Sequence, residues 1–265
     1  MPLRSGFVSV RAIDPRVTAW IGSLAALAAL NTGLWIWLAH SVQWRSPYTE
    51  AQLLLSGVYV GVCGFRSLFP RVDLERVCMW DTWLSAILLG RTAATVAEVC
   101  FALQCGLFVQ RLAHITGAPL MDVGPRIFVS LVVVAEVVCW YAVLSLNHIG
   151  HAIEESLWAV LMLLLSVALG TAALATHGAL RVTLTAGFLV YVVGAAATLV
   201  FDVRMYVRRW REHADAGRLP LLTGLRDVRY RRHATRAWTT WREEMPWMTL
   251  YFTIGVWTSL AMVLV

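Results

Sequence analysis

The sequence predicts an all-α integral membrane protein, a bundle of about seven transmembrane helices. Three observations carry that expectation. Of the 265 residues, 59% are hydrophobic and 14% charged, whereas an ordinary soluble domain carries roughly 25% charged residues. Seven apolar runs approach the roughly 20 residues that cross a hydrocarbon core as a helix. The arginines gather on alternate connections between those runs, as the positive-inside rule requires.

The first run, residues 17–40, follows Arg4, Arg11 and Arg16 and exceeds the roughly 7–15 apolar residues of a signal peptide, so it reads as a retained anchor. The others span residues 51–69, 83–108, 127–146, 157–175, 182–201 and 247–265. Trp20, Trp44, Trp80, Trp83, Trp158 and Trp247 stand near these edges, where amphipathic rings sit at membrane interfaces. Thr240 and Glu243 form a capping-box pattern with Pro246 close behind, which predicts that the last helix begins near Trp241. Residues 1–265 then form one polytopic domain, with no length left for a separate soluble one.

An inside N-terminus places seventeen arginines on inner segments and four, Arg45, Arg111, Arg126 and Arg181, outside. The C-terminus is then outside, and residues 204–242 form a cytoplasmic, Arg-rich loop. Leu225, Val228, Trp238 and Trp241 suggest that part of this loop is a helix lying on the membrane surface. Its arginines would attract anionic lipid by about 1 kcal/mol each. A bacterial inner membrane is the expected location; membrane lipids and a docked protein are the expected partners, and nucleic acid is not.

All 22 basic residues are arginine. Without lysine there is no retinal Schiff base and no lysine-based covalent chemistry. Five cysteines, none in a C-x-x-C pair and most within apolar runs, read as small packing residues. H-E-x-x-H, G-x-S-x-G and P-loop motifs are absent. Gly57 with Gly61, and Gly187 with Gly194, permit close helix approach.

Charges inside the spans cost roughly 2.5–3.5 kcal/mol each on insertion and therefore face protein. Here they are Arg91 and Glu98 on the third span and Glu136 on the fourth. Arg91 and Glu136 both lie about 15 Å from the inner end of their helices, which predicts an ion pair. Glu98, about 10 Å higher, falls outside that pair but shares its helical face through Thr95. A second group, His148, His151, Glu154 and Glu155, lies at the inner end of spans four and five, with Gly150 expected to mark the turn. His151, Glu154 and Glu155 at i, i+3 and i+4, joined by Asp202 from the sixth span, are candidate ligands for a divalent metal. Arg66, Asp81, Glu243 and Glu244 complete an expected inward-open polar cavity.

Three functions fit. The first is an intramembrane enzyme acting on a lipid or isoprenoid substrate, with Glu98, Arg91 and Glu136 as catalytic candidates. The second is a proton-coupled transporter or proton pathway through the same three residues. The third is a non-catalytic subunit or assembly factor docking through the Arg-rich loop. Against them stands a purely structural reading, in which the buried pair glues two helices and the inner acids favour helix N-termini.

Overall fold

The computed structural model describes residues 14–42, 46–117, 121–212 and 218–264. Arg4, Arg11, Trp44 and Arg45 lie outside these residues. The described residues are 84% helical and include seven helices long and apolar enough to cross a membrane.

Local chemistry sets most boundaries. α1 (Pro15–Ser41) starts where Asp14 Oδ1 accepts the Arg16 backbone N–H at 2.9 Å. α2 (Pro47–Leu68) starts where Ser46 Oγ accepts that of Thr49 at 3.2 Å. Each carries proline at its first position, whose missing N–H costs nothing there. α3 (Ile87–Thr116) ends on Gly117, left-handed at φ 69°, where a side chain would strain the backbone. α4 (Gly124–Ser145) packs tightly on α3, because a Cβ at Gly106 would come within 2.5 Å of Pro125 Cα.

The α4–α5 turn differs from expectation. Leu146 takes the left-handed conformation at φ 57°, and the Asn147 side chain accepts the Ile149 N–H, so α5 (His148–Ala175) begins nine residues earlier than the apolar run suggests. Gly150 therefore lies in the first turn of α5. Its missing side chain lets α4 approach: a Cβ there would sit 2.6 Å from that of Ala142.

The sixth span, Gly178–Glu212, runs through α6 (Gly178–Ala197), a π-helical stretch Thr198–Val203 and α7 (Arg204–Glu212). α6 packs mainly on α5 and buries only Leu184 and Ala195. The seventh, Met245–Leu264, comprises α10 (Met245–Leu250), a π-helical stretch Tyr251–Gly255, α11 (Val256–Ala261) and a final 3-10 turn. It returns against α1, α2 and α3.

The segment before the seventh span is folded onto the bundle. α8 (Leu221–Tyr230) crosses α4, with Gly224 against the Leu144 carbonyl and Val228 fully buried. β1 (Arg71–Val72), β2 (Val77–Cys78) and β3 (His233–Ala234) form a small sheet, antiparallel between β1 and β2 and parallel between β2 and β3. Arg76 locks it to α8 and α4, donating to Asp227 Oδ2 and to the Val143 carbonyl, each at 2.8 Å.

One expectation holds only in part here and another fails. Val228 and Trp241 face protein, whereas Leu221, Leu222 and Leu225 are exposed. The capping box does not form: α9 (Trp238–Trp241) is one isolated turn, and α10 starts at Met245 with no side-chain cap. Burial explains it. The Trp241 ring packs 5.7 Å from Trp20, and its indole N–H reaches the Thr235 carbonyl at 2.8 Å. A buried aromatic ring outweighs a local cap worth about 1 kcal/mol.

Candidate functional site

Arg91, Thr95 and Glu98 follow one face of α3, and Glu136 faces them from α4. Arg91 Nη2 donates to both Glu136 oxygens, at 3.0 and 3.1 Å, so the expected ion pair is present. The same nitrogen also reaches Glu98 Oε2 at 2.9 Å. Glu98 is therefore not left outside the pair. Side chains on a helix lean toward its N-terminus, which brings the Glu98 carboxylate back toward Arg91. Thr95 Oγ1 donates to Glu136 and accepts from the Trp140 indole N–H at 3.0 Å. Arg66 approaches Glu98 from α2, at 3.9 Å, and lies 5.7 Å from the ring of Tyr251 in the π-helical stretch of the seventh span.

The inner group joins this one. His151 Nδ1 lies 2.5 Å from Glu154 Oε2 and 3.9 Å from Cys139 Sγ. A carboxylate oxygen of Glu154 lies within 4.8 Å of one each from Glu98 and Glu136. The sequence suggested two clusters; the structure contains one. The early start of α5 carries Glu154 into the bundle, and the contact at Gly150 brings it to α4. Arg91, Glu98, Glu136 and Glu154 are all buried, none more than 6% exposed.

Electrostatics restrict how this cluster is charged. Two carboxylates 4.8 Å apart repel by about 3 kcal/mol at an effective dielectric constant near 20. Arg91 contacts both Glu98 and Glu136, and Arg66 brings a second positive charge 3.9 Å from Glu98. Glu154 turns instead to His151, whose Nδ1 lies 2.5 Å from Glu154 Oε2, the contact of a ring N–H donating to a carboxylate. Arg91 thus holds two carboxylates beside a hydrogen-bonded His–Glu pair, an arrangement suited to acid–base chemistry.

Two sets of atoms converge closely enough to hold an ion: Cys139, His151 and Glu154, and Glu98, Glu136 and Glu154. A thiolate, an imidazole and a carboxylate suit a zinc-like ion. Three carboxylates suit a harder one, although Arg91 already occupies two of them. Glu155 and Asp202 are half-buried and belong to neither set. His148 and His151 both lie beside the Tyr206 ring, with ring centroids 6.4 and 5.1 Å away.

Sequence reasoning took Cys139 for a packing residue. Its signal was spacing: Glu136 and Cys139 are three apart, hence on one face of α4. The remaining inner acids have partners of their own. Asp81 pairs with Arg232 at 2.8 Å, and Glu243 with Arg209 at 3.5 Å. Glu244 accepts the Trp247 indole N–H at 2.6 Å, while burial pushes its carboxyl above the usual glutamate range.

Beyond Glu98 on α3, a second buried network links three spans. Gln104 Nε2 donates to Gln52 Oε1 at 2.9 Å, and Ser259 Oγ donates to Gln104 Oε1 at 2.6 Å. Between the two networks, Tyr59 stacks on Phe101 at 4.8 Å.

No family model matches the chain, and no curated protein or solved structure matches it either.

Proposed function

We propose that this chain is an enzyme of the bacterial inner membrane that acts on a lipid or isoprenoid substrate drawn from the inner leaflet. In this reading the N-terminus and the 204–242 segment are cytoplasmic and the C-terminus is outside, as the arginine distribution favours. The supporting observation is the convergence of Glu98, Glu136 and Glu154 around Arg91, with His151 on Glu154. His151 and Glu154 exchange the proton with the substrate; Arg91 holds Glu98 and Glu136, and Arg66 adds a second positive charge beside Glu98. Charged groups this deep are expensive to insert, so a role in chemistry explains their retention better than helix adhesion does. The exposed Leu221, Leu222 and Leu225 of α8 lie beside exposed Arg226 and Arg229, a pattern suited to contact with anionic headgroups.

The test uses proteoliposomes of bacterial inner-membrane lipids carrying wild type, His151→Ala or Glu136→Gln. Lipid composition is followed over time by mass spectrometry, with elemental analysis of each purified protein. Conversion by wild type, lost in both variants, is expected. Lipids unchanged from protein-free vesicles, or variants as active as wild type, would sink the enzymatic reading.

The Gln52–Gln104–Ser259 network favours a second reading, because it extends polar groups beyond Glu98 toward the other end of the bundle. A proton pathway through Glu98, Arg91 and Glu136 then predicts that an imposed pH gradient drives flux in the same proteoliposomes. Glu98→Gln abolishes that flux; equal flux in variant and wild type rules the pathway out.

A further inference from the structure

Arg71 is the most anomalous charge outside the cluster. It begins β1, just beyond the end of α2, and only 2% of its surface is exposed. None of its three guanidinium nitrogens has a hydrogen bond among the described residues. Asp73 Oδ1 lies 3.3 Å from Nε, but off the N–H direction, and that oxygen is itself without a hydrogen bond. The guanidinium occupies the space of a missing side chain: a Cβ at Gly90 would fall 1.3 Å from Arg71 Cζ. Its other neighbour is the Phe65 ring, with the centroid 5.7 Å away.

The surroundings are equally short of acceptors. Gly90 immediately precedes Arg91, whose Nε has no hydrogen bond. The nearest carboxylate oxygen to Arg66, at 3.9 Å, is beyond hydrogen-bonding distance. Burial pulls the Arg71 guanidinium down to about 10, with Asp73 opposing the shift and the charges of Arg66 and Arg91 adding to it. Three buried guanidiniums thus border one region between the end of α2, β1 and the start of α3. Asp73 and Glu98 supply charge there, but the donors of Arg71 and Arg91 Nε remain unused. A buried charged donor without a partner costs more than the roughly 1–3 kcal/mol of a neutral one. Acceptor oxygens are what is missing.

We propose that Arg71, with Arg66 and Arg91, forms a subsite for a phosphate or diphosphate group carried by the membrane-soluble substrate. Guanidinium forks match phosphate oxygens in pairs, and one phosphate offers enough acceptors for several N–H groups at once. Arg71 lies three residues beyond Leu68, the last residue of the second candidate span, which is where a headgroup would sit if that helix crosses the membrane. Arg66 links the subsite to the acid–base cluster through Glu98. The inference deepens the enzymatic reading by naming the polar group of its substrate. Its test measures binding alone, so lost catalysis and a lost subsite are separate results.

The experiment follows thermal unfolding of the full chain in neutral detergent against dodecyl phosphate, dodecanol and inorganic phosphate. A saturable rise with dodecyl phosphate and none with dodecanol is expected. A comparable rise with inorganic phosphate shows that the phosphate group suffices; none shows that the lipid-borne form is needed. Arg71→Met should raise the half-saturating concentration about tenfold or more, as loss of a charged hydrogen bond implies. Equal effects of dodecyl phosphate and dodecanol, or an unchanged response in Arg71→Met, overturn the subsite. Phosphorus NMR titration of dodecyl phosphate with wild type needs no variant, and a resonance unaffected by the protein is an equally negative result.

Discussion

Replacing Arg91 by methionine isolates the electrostatic design of the cluster. Methionine keeps the length of the side chain and removes the one cation touching both Glu98 and Glu136. Breaking a buried pair this way costs about 3–5 kcal/mol, because the remaining charge has neither water nor partner. Here two carboxylates are stranded, and a third lies within 4.8 Å. Their mutual repulsion, about 3 kcal/mol per pair at an effective dielectric constant near 20, is of the same order. Arg91→Met should therefore lose about 3–5 kcal/mol at neutral pH. Adding Glu98→Gln and Glu136→Gln to it should recover most of that loss, since an uncharged network of similar shape is often as stable as an ionic one. Reversible unfolding in mixed micelles, followed by tryptophan fluorescence, measures both. The reasoning fails if Arg91→Met costs less than about 1 kcal/mol, as a surface ion pair would. It fails equally if the triple variant is no more stable than the single one.

Gly150→Ala must part α4 and α5, because its Cβ would meet that of Ala142 at 2.6 Å; about 1–3 kcal/mol of stability should go in the same unfolding assay, and an unchanged midpoint would show that the contact is not rigid. Gly224→Ala places a Cβ 1.9 Å from the Leu144 carbonyl oxygen, which is backbone and cannot rotate away. Limited proteolysis within residues 218–236 should accelerate as α8 lifts, and wild-type resistance would contradict that. Glu244→Gln tests burial at the edge of the bundle. Burial raises the folded-state carboxyl above its unfolded value, so the stability this group contributes is complete below the unfolded range and is lost as pH rises through the folded one. The glutamine variant should match wild type near pH 4 and exceed it progressively toward neutrality; a constant or reversed gap counts against it.

The spans and the Arg91–Glu136 pair were legible because both depend on one-dimensional regularities: apolar run length, and equal depth on antiparallel neighbours. What escaped depended on single residues overriding those regularities. Apolar run length starts the fifth span only at residue 157, and Gly150 reads as the turn, so the helical spacing of His151, Glu154 and Glu155 counts from His151. Yet Leu146 and Asn147 complete the reversal, and the helix starts at His148 with Gly150 inside its first turn. That shift turns two separate clusters into one. The same override governs the segment before the seventh span, where the Trp241 ring is drawn under α1 against the local capping pattern. Arg71 was legible only as one more arginine in a topology count. Nothing in its neighbours along the chain announces that Gly90, nineteen residues on, leaves room for its guanidinium. Arg71 and Cys139 share a lesson about where sequence signals end. Charge distribution and helical spacing say which side of the bundle a residue occupies. Its partner on another helix is set by where that helix starts and by the small residue that lets the two backbones meet.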